Sequence, residues 1–349
     1  MVNQKGKTTG KTSQTPPEPQ VQEDSSMFVK LWQWYKAHRK RVKEKRKKPQ
    51  TFGETILSWT KTIIGAIIVV MIINGLLIAS FVVPTGSMER TVMTGDFLFV
   101  NKFIYGPTTP QVIPFLNIPL PFFKFPAPAA PEKGDVIVFI FPGNRDEVES
   151  KEFQYYLKRC VAVAGDTLSV INKRLYVNGI EYKLPPYGQY IYSEPLSPYN
   201  KWETFPPGRG YTRDNYGPIR IPKKGDYIAL NIRNWREWEY FIKKEGHEVH
   251  SDGSNVYIDD KIQFGYKVEQ DYVFGMGDNR DNSLDSRYWG FIPVESVVGT
   301  PLLVYWSWPI KVKDVDEMEY KNDPDQEREL TIFEKIARVR FNRITKLIK

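Results

Sequence analysis

The longest uninterrupted apolar stretch of the chain runs from Ile63 to Val83 and reads IIGAIIVVMIINGLLIASFVV. Its 21 residues carry no charge, and only Asn74 and Ser80 are clearly polar. As a helix it would span about 31 Å, close to the hydrocarbon thickness of a bilayer. Core helices of soluble proteins usually keep a polar stripe, so the pattern predicts a transmembrane helix over residues 63–83. About 60 residues precede it, a position that excludes a cleavable signal peptide.

Beyond residue 83 the pattern changes to short runs of alternating apolar and polar positions, which are typical of β-strands. Residues 96–100 and 134–139 are two such runs. Residues 175–182 contain an Asn-Gly dipeptide that favours a tight hairpin, and residues 256–262 resemble a second hairpin. This part of the chain is therefore predicted to be mainly β. One short helix is expected near Trp235–Glu245, capped by Asn234 and ended by Gly246.

Two segments depart from the strand pattern. Residues 107–131 contain eight prolines, which exclude a central strand or a helix. They form either an ordered surface loop or an apolar loop that enters the bilayer interface. Residues 328–349 place apolar side chains at helical spacing and carry 7 Lys/Arg against 2 Asp/Glu. This predicts a basic amphipathic helix that either packs on the domain or lies on the membrane surface.

These patterns divide the chain into five parts. Residues 1–26 are polar and lack the apolar content for a core, so they are predicted to be a disordered tail. The other four parts are a basic juxtamembrane segment (27–62), the membrane helix (63–83), a β-rich domain (84–327) with a secondary subdomain at 183–265, and the C-terminal helix (328–349).

Composition and charge narrow the classes of function. The chain has 349 residues and a net charge of +8, but residues 1–49 alone hold 13 Lys/Arg against 4 Asp/Glu. The other 300 residues hold 36 against 37. A nucleic-acid-binding body would spread positive charge over its folded surface, so nucleic acid is excluded as a partner. The single cysteine, Cys160, excludes an internal disulfide framework and a Cys-rich zinc site, and no metal is predicted.

Charge around the apolar stretch predicts its orientation. A dense Lys/Arg run ending at residue 48 precedes it, whereas only Arg90 and Lys102 lie in the 20 residues after it. The positive-inside rule then places the N-terminus in the cytoplasm and the residues after Val83 outside. The basic run itself is either a solvated segment or one that lies on an anionic membrane surface.

The candidate chemistry begins directly after the apolar stretch, at residues 84–88 (PTGSM). Four extended residues reach only about 13 Å, so Ser87 is expected near the outer membrane surface. A serine nucleophile needs a group that accepts its proton. His38 lies on the wrong side of the predicted membrane, while His247 and His250 stay open as candidates in a charged stretch.

A lysine can also accept the proton if burial lowers its pKa from about 10.4 to about 7–8, at a cost of about 3–4 kcal/mol. Such a lysine should lie in an apolar strand, and residues 155–166 (YYLKRCVAVAGD) meet that requirement. In a strand, Lys158 shares a face with Tyr156 and Cys160, and Arg159 points the other way. The alternative is an edge-strand lysine that prevents aggregation.

A third segment, residues 277–290, reads GDNRDNSLDSRYWG and is dense in turn-forming residues. Turn chemistry alone would account for that composition. The segment also offers Ser283 to orient an amine, and Asp285 with Arg287 to hold a site rigid.

The three segments, in this order and after a membrane anchor, closely resemble the bacterial type I signal peptidases (leader peptidases). These are membrane-bound serine proteases with a Ser/Lys dyad. The resemblance covers residues 60–106, 153–170 and 272–300, and the GDNRDNSxDSR block is highly specific. It implies a mostly β fold, an antiparallel catalytic domain with a coiled or barrel-like core, preceded by one transmembrane helix.

The resemblance also implies a role for each matching residue. Ser87 would be the nucleophile and Lys158 the general base. The Ser87 N–H and the Thr85 hydroxyl would form the oxyanion hole, and Ser283 would hydrogen-bond the lysine amine. The other implied roles are a supporting ion-pair cluster (Arg159, Asp285, Arg287), bracing of the same block (Asp278, Arg280) and walls of small substrate pockets (Val83, Met88, Tyr156).

The implied activity is removal of N-terminal signal peptides from secreted preproteins after Ala-X-Ala sites, at the bacterial cytoplasmic (inner) membrane and without a cofactor. The implied partners are secretory preproteins and the lipid bilayer. Two alternatives stay open: a specialised or self-cleaving Ser/Lys processing peptidase, and an inactive membrane-anchored protein that binds signal segments. The chain departs from the family in having Arg90 where proline is common.

Overall fold

The computed structural model describes residues 27–45, 51–110, 112–113, 118–121, 123–150, 152–195, 204–310 and 330–348. The predicted disordered tail, residues 1–26, lies outside the described residues. The chain divides into two compact units, residues 1–64 and 65–349.

The described residues form helices and strands, and each kind is numbered in chain order. The helices are α1 (Met27–Lys45), α2 (Phe52–Leu76), α3 (Trp235–Lys244), α4 (Ser286–Trp289) and α5 (Ile332–Ala337), with 3-10 turns at Val294–Ser296 and Phe341–Arg343. The strands are β1 (Ile78–Val82), β2 (Asp96–Asn101), β3 (Val112–Ile113), β4 (Ile118–Pro119), β5 (Val136–Ile140), β6 (Tyr155–Val163), β7 (Thr167–Ile171), β8 (Arg174–Val177), β9 (Ile180–Glu181), β10 (Tyr216–Arg220), β11 (Tyr227–Ala229), β12 (Val249–Ser251), β13 (Val256–Ile258), β14 (Lys261–Ile262), β15 (Gly265–Lys267), β16 (Tyr272–Met276), β17 (Ile292–Pro293) and β18 (Val297–Ser307).

The apolar helix α2 begins and ends earlier than the predicted 63–83. Among the described residues it is the one helix long and apolar enough to cross a membrane. The last apolar residues of the stretch, Ile78–Val82, are not helical but form β1, which pairs antiparallel with β2. The membrane helix was therefore predicted too far toward the C-terminus, and Ser87 lies eleven positions after the end of α2 at Leu76 instead of four after the span.

Backbone contacts from the loop after β2 surround the end of α2. The Thr108 N–H donates to Gly75 O at 3.1 Å, and the Lys102 N–H donates to Leu77 O at 2.9 Å. A Cβ at position 75 would lie 2.6 Å from Thr108 O, so this close approach requires glycine. These bonds take up carbonyls that a longer helix would use, and the chain continues as a strand.

Seven strands form the main sheet, in the order β1-β2-β18-β5-β6-β16-β17, and every neighbouring pair is antiparallel. The sheet curls into a half-barrel, which confirms the predicted mostly β fold. Its register slips at several points along β18 and once between β16 and β6. Such irregularities bend strands and let a sheet curl.

Strands β7–β15 lie between the main-sheet strands β6 and β16 in the chain and form smaller sheets, so β7, β8 and β9 precede the secondary subdomain predicted at 183–265. The largest of these smaller sheets has four strands, in the order β10-β7-β8-β9. One buried apolar cluster extends from Val161 in β6 through this sheet and α3 to Phe291. These strands therefore share a core with the main sheet, and a secondary subdomain at 183–265 stays a prediction.

Both predicted hairpins are confirmed. Asn178 (φ 53°) and Gly179 (φ 78°) join β8 to β9, and Asp259 (φ 49°) and Asp260 (φ 60°) join β13 to β14. Two consecutive left-handed residues give the turn whose twist matches that of the flanking strands. The helix predicted near Trp235–Glu245 is α3, although the Asn234 side chain makes no capping hydrogen bond.

The prediction of a helix over residues 328–349 is wrong. α5 covers only six residues, and the chain then folds back on β18. Leu347 forms a β-bridge with Leu303, and the Thr345 N–H donates to Val304 O at 2.8 Å. The segment meets the end of β18 that β5 does not cover, so it packs on the domain as one alternative expected.

In the proline-rich loop 107–131, β3 and β4 are two residues long and pair with each other. The described residues of this loop contribute no strand to the main sheet.

Two glycines with the same backbone conformation should differ sharply in their tolerance of alanine. Gly95 and Gly179 have φ of 83° and 78°. A Cβ at Gly179 would meet no atom within 4 Å, whereas one at Gly95 would lie 1.9 Å from Trp308 O. We expect Gly179→Ala to cost about 1 kcal/mol through backbone strain alone, and Gly95→Ala to cost more. Thermal unfolding in detergent measures both, and equal Tm values would contradict the close packing at Gly95.

Candidate active site

The candidate nucleophile lies in the loop that connects β1 to β2. The Val83 N–H donates to Asp96 O, and the Gly95 N–H donates to Val83 O, both at 2.9 Å. These two bonds close the base of the loop, residues 84–94. Ser87 lies within it, and its side chain is buried.

The backbone turns tightly just after Ser87. The N–H groups of Thr91 and Val92 both donate to Met88 O, at 3.1 and 2.9 Å. Arg90 has φ of 71°, in the left-handed region. Proline cannot adopt that angle, because its ring holds φ near −65°. Arg90 therefore lies where the backbone conformation excludes the proline that the family resemblance led us to expect.

Lys158 lies in the middle of the main sheet and contacts Ser87 directly. It is opposite Ile137 in the β5–β6 pair, and its side chain is buried. Its Nζ donates to Ser87 Oγ at 2.6 Å and lies 5.9 Å from the ring centroids of Tyr156 and Trp289. β6 lies between β5 and β16, so the alternative of an edge-strand lysine is wrong.

Two further hydroxyl groups lie beside this contact. Thr85 Oγ1 is 3.3 Å from Ser87 Oγ. Ser283 is buried against Gly277, where a Cβ would lie 2.2 Å from Ser283 Oγ and 2.5 Å from Ser87 O. The Ser283 hydroxyl has no hydrogen-bond partner among the described residues, so the implied bond to Lys158 is not formed in this structure.

The supporting charges form two separate pairs and not one cluster. Arg159 Nε and Nη2 donate to the two carboxylate oxygens of Asp278, at 2.8 and 2.7 Å. Arg287 makes the same forked contact with Asp285, at 2.8 Å for each bond. The implied grouping of Arg159 with Asp285 and Arg287 is therefore wrong. Arg159 instead binds the first acidic residue of the block, beside the loop that carries Ser87.

In these two pairs, the oppositely charged partner outweighs burial in setting the pKa of Asp285 and of Arg159. Burial acts to raise the pKa of Asp285, but the Arg287 guanidinium brings it below its ordinary value. Burial acts to lower the pKa of Arg159, but its hydrogen bonds to Asp278 raise it. Arg280 differs, because its Nε and Nη2 atoms lack hydrogen-bond partners among the described residues and burial lowers its pKa. The two forked pairs thus keep their charges inside the protein.

The block at residues 277–290 also holds the loop that carries Ser87, through the backbone of that loop. The Asn279 N–H donates to Ser87 O at 3.0 Å, and its side-chain amide donates to Gly86 O at 3.3 Å. Thr91 Oγ1 donates to Asp278 Oδ2 at 2.6 Å. The loop and the block are therefore fixed to one another on both sides of Ser87.

Two of the three implied pocket residues lie beside the Ser87–Lys158 contact: Met88 follows Ser87 in the chain, and the Tyr156 ring centroid lies 5.9 Å from Lys158 Nζ. Val83 and Met88 belong to one buried apolar cluster, and Met88 Sδ accepts a hydrogen bond from the Asp278 N–H at 3.2 Å. Tyr156 is half-buried and stacks on Phe141 with 4.4 Å between ring centroids. A role of these residues in binding substrate stays a prediction.

The two histidines left open as bases are engaged elsewhere. His247 lies 2.7 Å from Asp259 and 3.0 Å from Glu269, and its hydrogen bond to Asp259 raises its pKa. His250 stacks on Tyr257. The basic group that touches Ser87 is Lys158.

Sequence reasoning missed three residues that shape the site. Asn279 and Trp289 lie inside the block at 277–290, so that motif could have drawn attention to them. Thr91 carries no motif, because its contact with Asp278 arises only when the loop folds against the block.

Comparison with known proteins identifies relatives of this chain. A profile of the family described as "Signal peptidase, peptidase S26" matches residues 56–306. Signal peptidase I of Helicobacter pylori is 28% identical over 283 residues, which cover 78% of this chain and 89% of that protein. Signal peptidase I of Pseudomonas aeruginosa is 30% identical over 267 residues, covering 73% of this chain and 74% of that protein.

A solved signal peptidase I from Enterococcus faecalis aligns with 49% of this chain and 97% of its own length, at 17% identity and a TM-score of 0.22. The family assignment rests on the sequence matches. Since the matched range spans most of the chain and contains Ser87, Lys158 and the block at 277–290, the chain belongs to the signal peptidase family S26 and is a serine peptidase that removes signal peptides.

Proposed function

We propose that Ser87 and Lys158 form the catalytic dyad of this peptidase. The 2.6 Å contact between Lys158 Nζ and Ser87 Oγ carries the proposal. A neutral amine at that distance can accept the hydroxyl proton as Oγ attacks the scissile carbonyl. Burial beside the rings of Tyr156 and Trp289 supports this role, because apolar surroundings disfavour the charged form of an amine.

The tetrahedral intermediate would be stabilised by the Ser87 N–H and the Thr85 hydroxyl. Thr85 Oγ1, at 3.3 Å from Ser87 Oγ, is close enough to reach an oxygen formed at the attacked carbon. Lys158 would then give its proton to the leaving amine, and a water activated by Lys158 would hydrolyse the Ser87 ester. Ser283, buried in the block that contacts Ser87, is assigned to orient the amine once it is protonated.

The substrate would be a secretory preprotein cleaved after an Ala-X-Ala site. The peptide would add as a strand beside residues 82–84 and 155–157. Residues 155–157 have one side that no strand of the described sheet occupies, because β16 pairs with β6 only from Arg159 onward. Residues 82–84 also have such a side, because β1 lies at the edge of the described sheet. Small substrate side chains suit the site because Val83 and Met88 are packed in the core and cannot move aside for a larger one.

We also propose that α2 anchors the enzyme in the bacterial cytoplasmic (inner) membrane, with the N-terminus in the cytoplasm and the catalytic domain outside. The length and apolar character of Phe52–Leu76 support a span. The basic helix α1, which precedes it, supports the orientation. The lipid bilayer is then a partner of the enzyme.

Removing either member of the dyad should abolish cleavage. We expect Ser87→Ala and Lys158→Met to lower the turnover of a purified Ala-X-Ala preprotein in detergent by about 10³-fold or more, because the nucleophile or its base is lost. His247→Gln should retain the activity of the unmodified enzyme, because His247 is bound to Asp259 and Glu269. Retained cleavage in folded Lys158→Met would disprove the dyad.

Substrate side chains at the two alanine positions should be limited by size. Replacing either alanine of the Ala-X-Ala site by leucine should lower kcat/KM by about 10- to 100-fold, because overfilling a packed site costs about 1–3 kcal/mol. The matched control places leucine at the middle position, where we expect little change. An equal effect at all three positions would contradict the proposed pockets.

The orientation of the enzyme in the membrane can be tested by labelling introduced cysteines. Cys160 is fully buried, so labelling by a membrane-impermeant maleimide should report introduced cysteines alone. In intact spheroplasts we expect labelling of Ile180→Cys, whose site is 74% exposed in the catalytic domain, and none of Tyr35→Cys in α1. Lysis should expose both. The reverse labelling pattern would overturn the proposed topology.

A further inference from the structure

The C-terminal segment contacts the loop that carries the nucleophile. Three basic side chains of residues 340–346 each donate to a backbone carbonyl of that loop. The pairs are Arg340 Nη2 to Thr94 O at 2.6 Å, Arg343 Nη2 to Thr91 O at 3.4 Å and Lys346 Nζ to Arg90 O at 2.8 Å. Because all three acceptors are backbone carbonyls, these contacts fix the backbone of the loop and do not depend on its side chains.

The central contact of this segment is a buried ion pair. Arg343 Nε and Nη2 donate to the carboxylate of Asp96, the shortest bond being 2.5 Å. Asp96 is fully buried at the end of the loop and also accepts bonds from the Met93 N–H at 2.8 Å and from Ser307 Oγ at 2.7 Å. Removing Arg343 would leave that carboxylate without its counter-charge, which is costly inside a protein.

A chain of hydrogen bonds links this ion pair to the sequence neighbours of both members of the proposed dyad. Thr91, whose carbonyl accepts from Arg343, donates through its hydroxyl to Asp278. Asp278 in turn binds Arg159, the neighbour of Lys158 in β6. On the other side, the Thr91 N–H donates to Met88 O, one residue after Ser87.

We propose that residues 340–346 are a positioning element for the reaction, and that Arg343 is its principal positioning residue. The element sets the loop conformation that places Ser87 Oγ at 2.6 Å from Lys158 Nζ. This inference rests on the proposed dyad. It assigns to the C-terminal segment a function in turnover, in addition to covering the end of β18 that β5 does not cover.

The test compares Arg343→Ala with Arg343→Lys in the full-length enzyme in detergent. We expect Arg343→Ala to lower kcat by about 10- to 100-fold with KM within about twofold, because misplacement of a reacting group slows the chemical step. Arg343→Lys keeps the charge but cannot donate through a rigid fork, so its kcat should be intermediate. Arg338→Ala, at an exposed arginine just before residues 340–346, is the matched control and should keep the original kcat.

A second measurement separates positioning from general loss of stability. Hydrogen exchange should show faster exchange at the amides of Thr91 and Val92 in Arg343→Ala, and unchanged exchange in the hairpin of β8 and β9. Unchanged kcat, unchanged exchange in the loop, or a change in KM alone would overturn the proposal. If Ser87→Ala, assayed in parallel, retains activity, the dyad itself fails, and the exchange result still decides whether Arg343 holds the loop.

Discussion

The site depends on one buried hydrogen bond, between Lys158 Nζ and Ser87 Oγ at 2.6 Å. A lysine amine leaves water at a considerable cost, so the surrounding structure must hold it in place. β6 does this by running between β5 and β16 in the main sheet. Gly275 on β16 leaves room for the lysine, since a Cβ there would lie 3.1 Å from Lys158 Cβ. The serine comes from a loop, which has to be fixed by other means.

Neighbouring residues of one strand serve opposite electrostatic purposes. Lys158 faces aromatic rings and a hydroxyl, whereas Arg159 binds Asp278 through a forked contact. The permanent charge of Arg159 is therefore neutralised by its own partner, next to the amine that is proposed to accept and release a proton during turnover. A second forked pair, Asp285 with Arg287, stiffens the block that contacts Ser87. Each of the two arginines is therefore compensated by its own aspartate, and neither pair depends on the other.

The loop that carries Ser87, residues 84–94, is held mainly through its backbone. The Asn279 N–H binds Ser87 O, and basic side chains of the C-terminal segment bind carbonyls further along the loop. Contacts to carbonyls fix the path of the backbone and do not depend on the identity of the side chains. One of these carbonyls belongs to Arg90, whose left-handed backbone excludes proline.

Local pattern determined much of this protein. Alternation predicted the strands, Asn178-Gly179 predicted a hairpin, and the motifs around Ser87, Lys158 and the block at 277–290 indicated three segments that the fold brings together. Their hydrogen-bonding roles depended on geometry, so the bond of Ser283 to Lys158 and the partner of Arg159 were not predicted correctly.

Tertiary structure alone decided where the apolar helix ends and what the C-terminus does. A short apolar run suits a helix or a buried strand equally, and residues 78–82 became β1 because β2 was available to pair with them. Residues 328–349 have a helical pattern, yet Arg343 gains a buried carboxylate and Leu347 a strand partner only when the chain folds back. Such partners are distant in sequence, and no local signal encodes them.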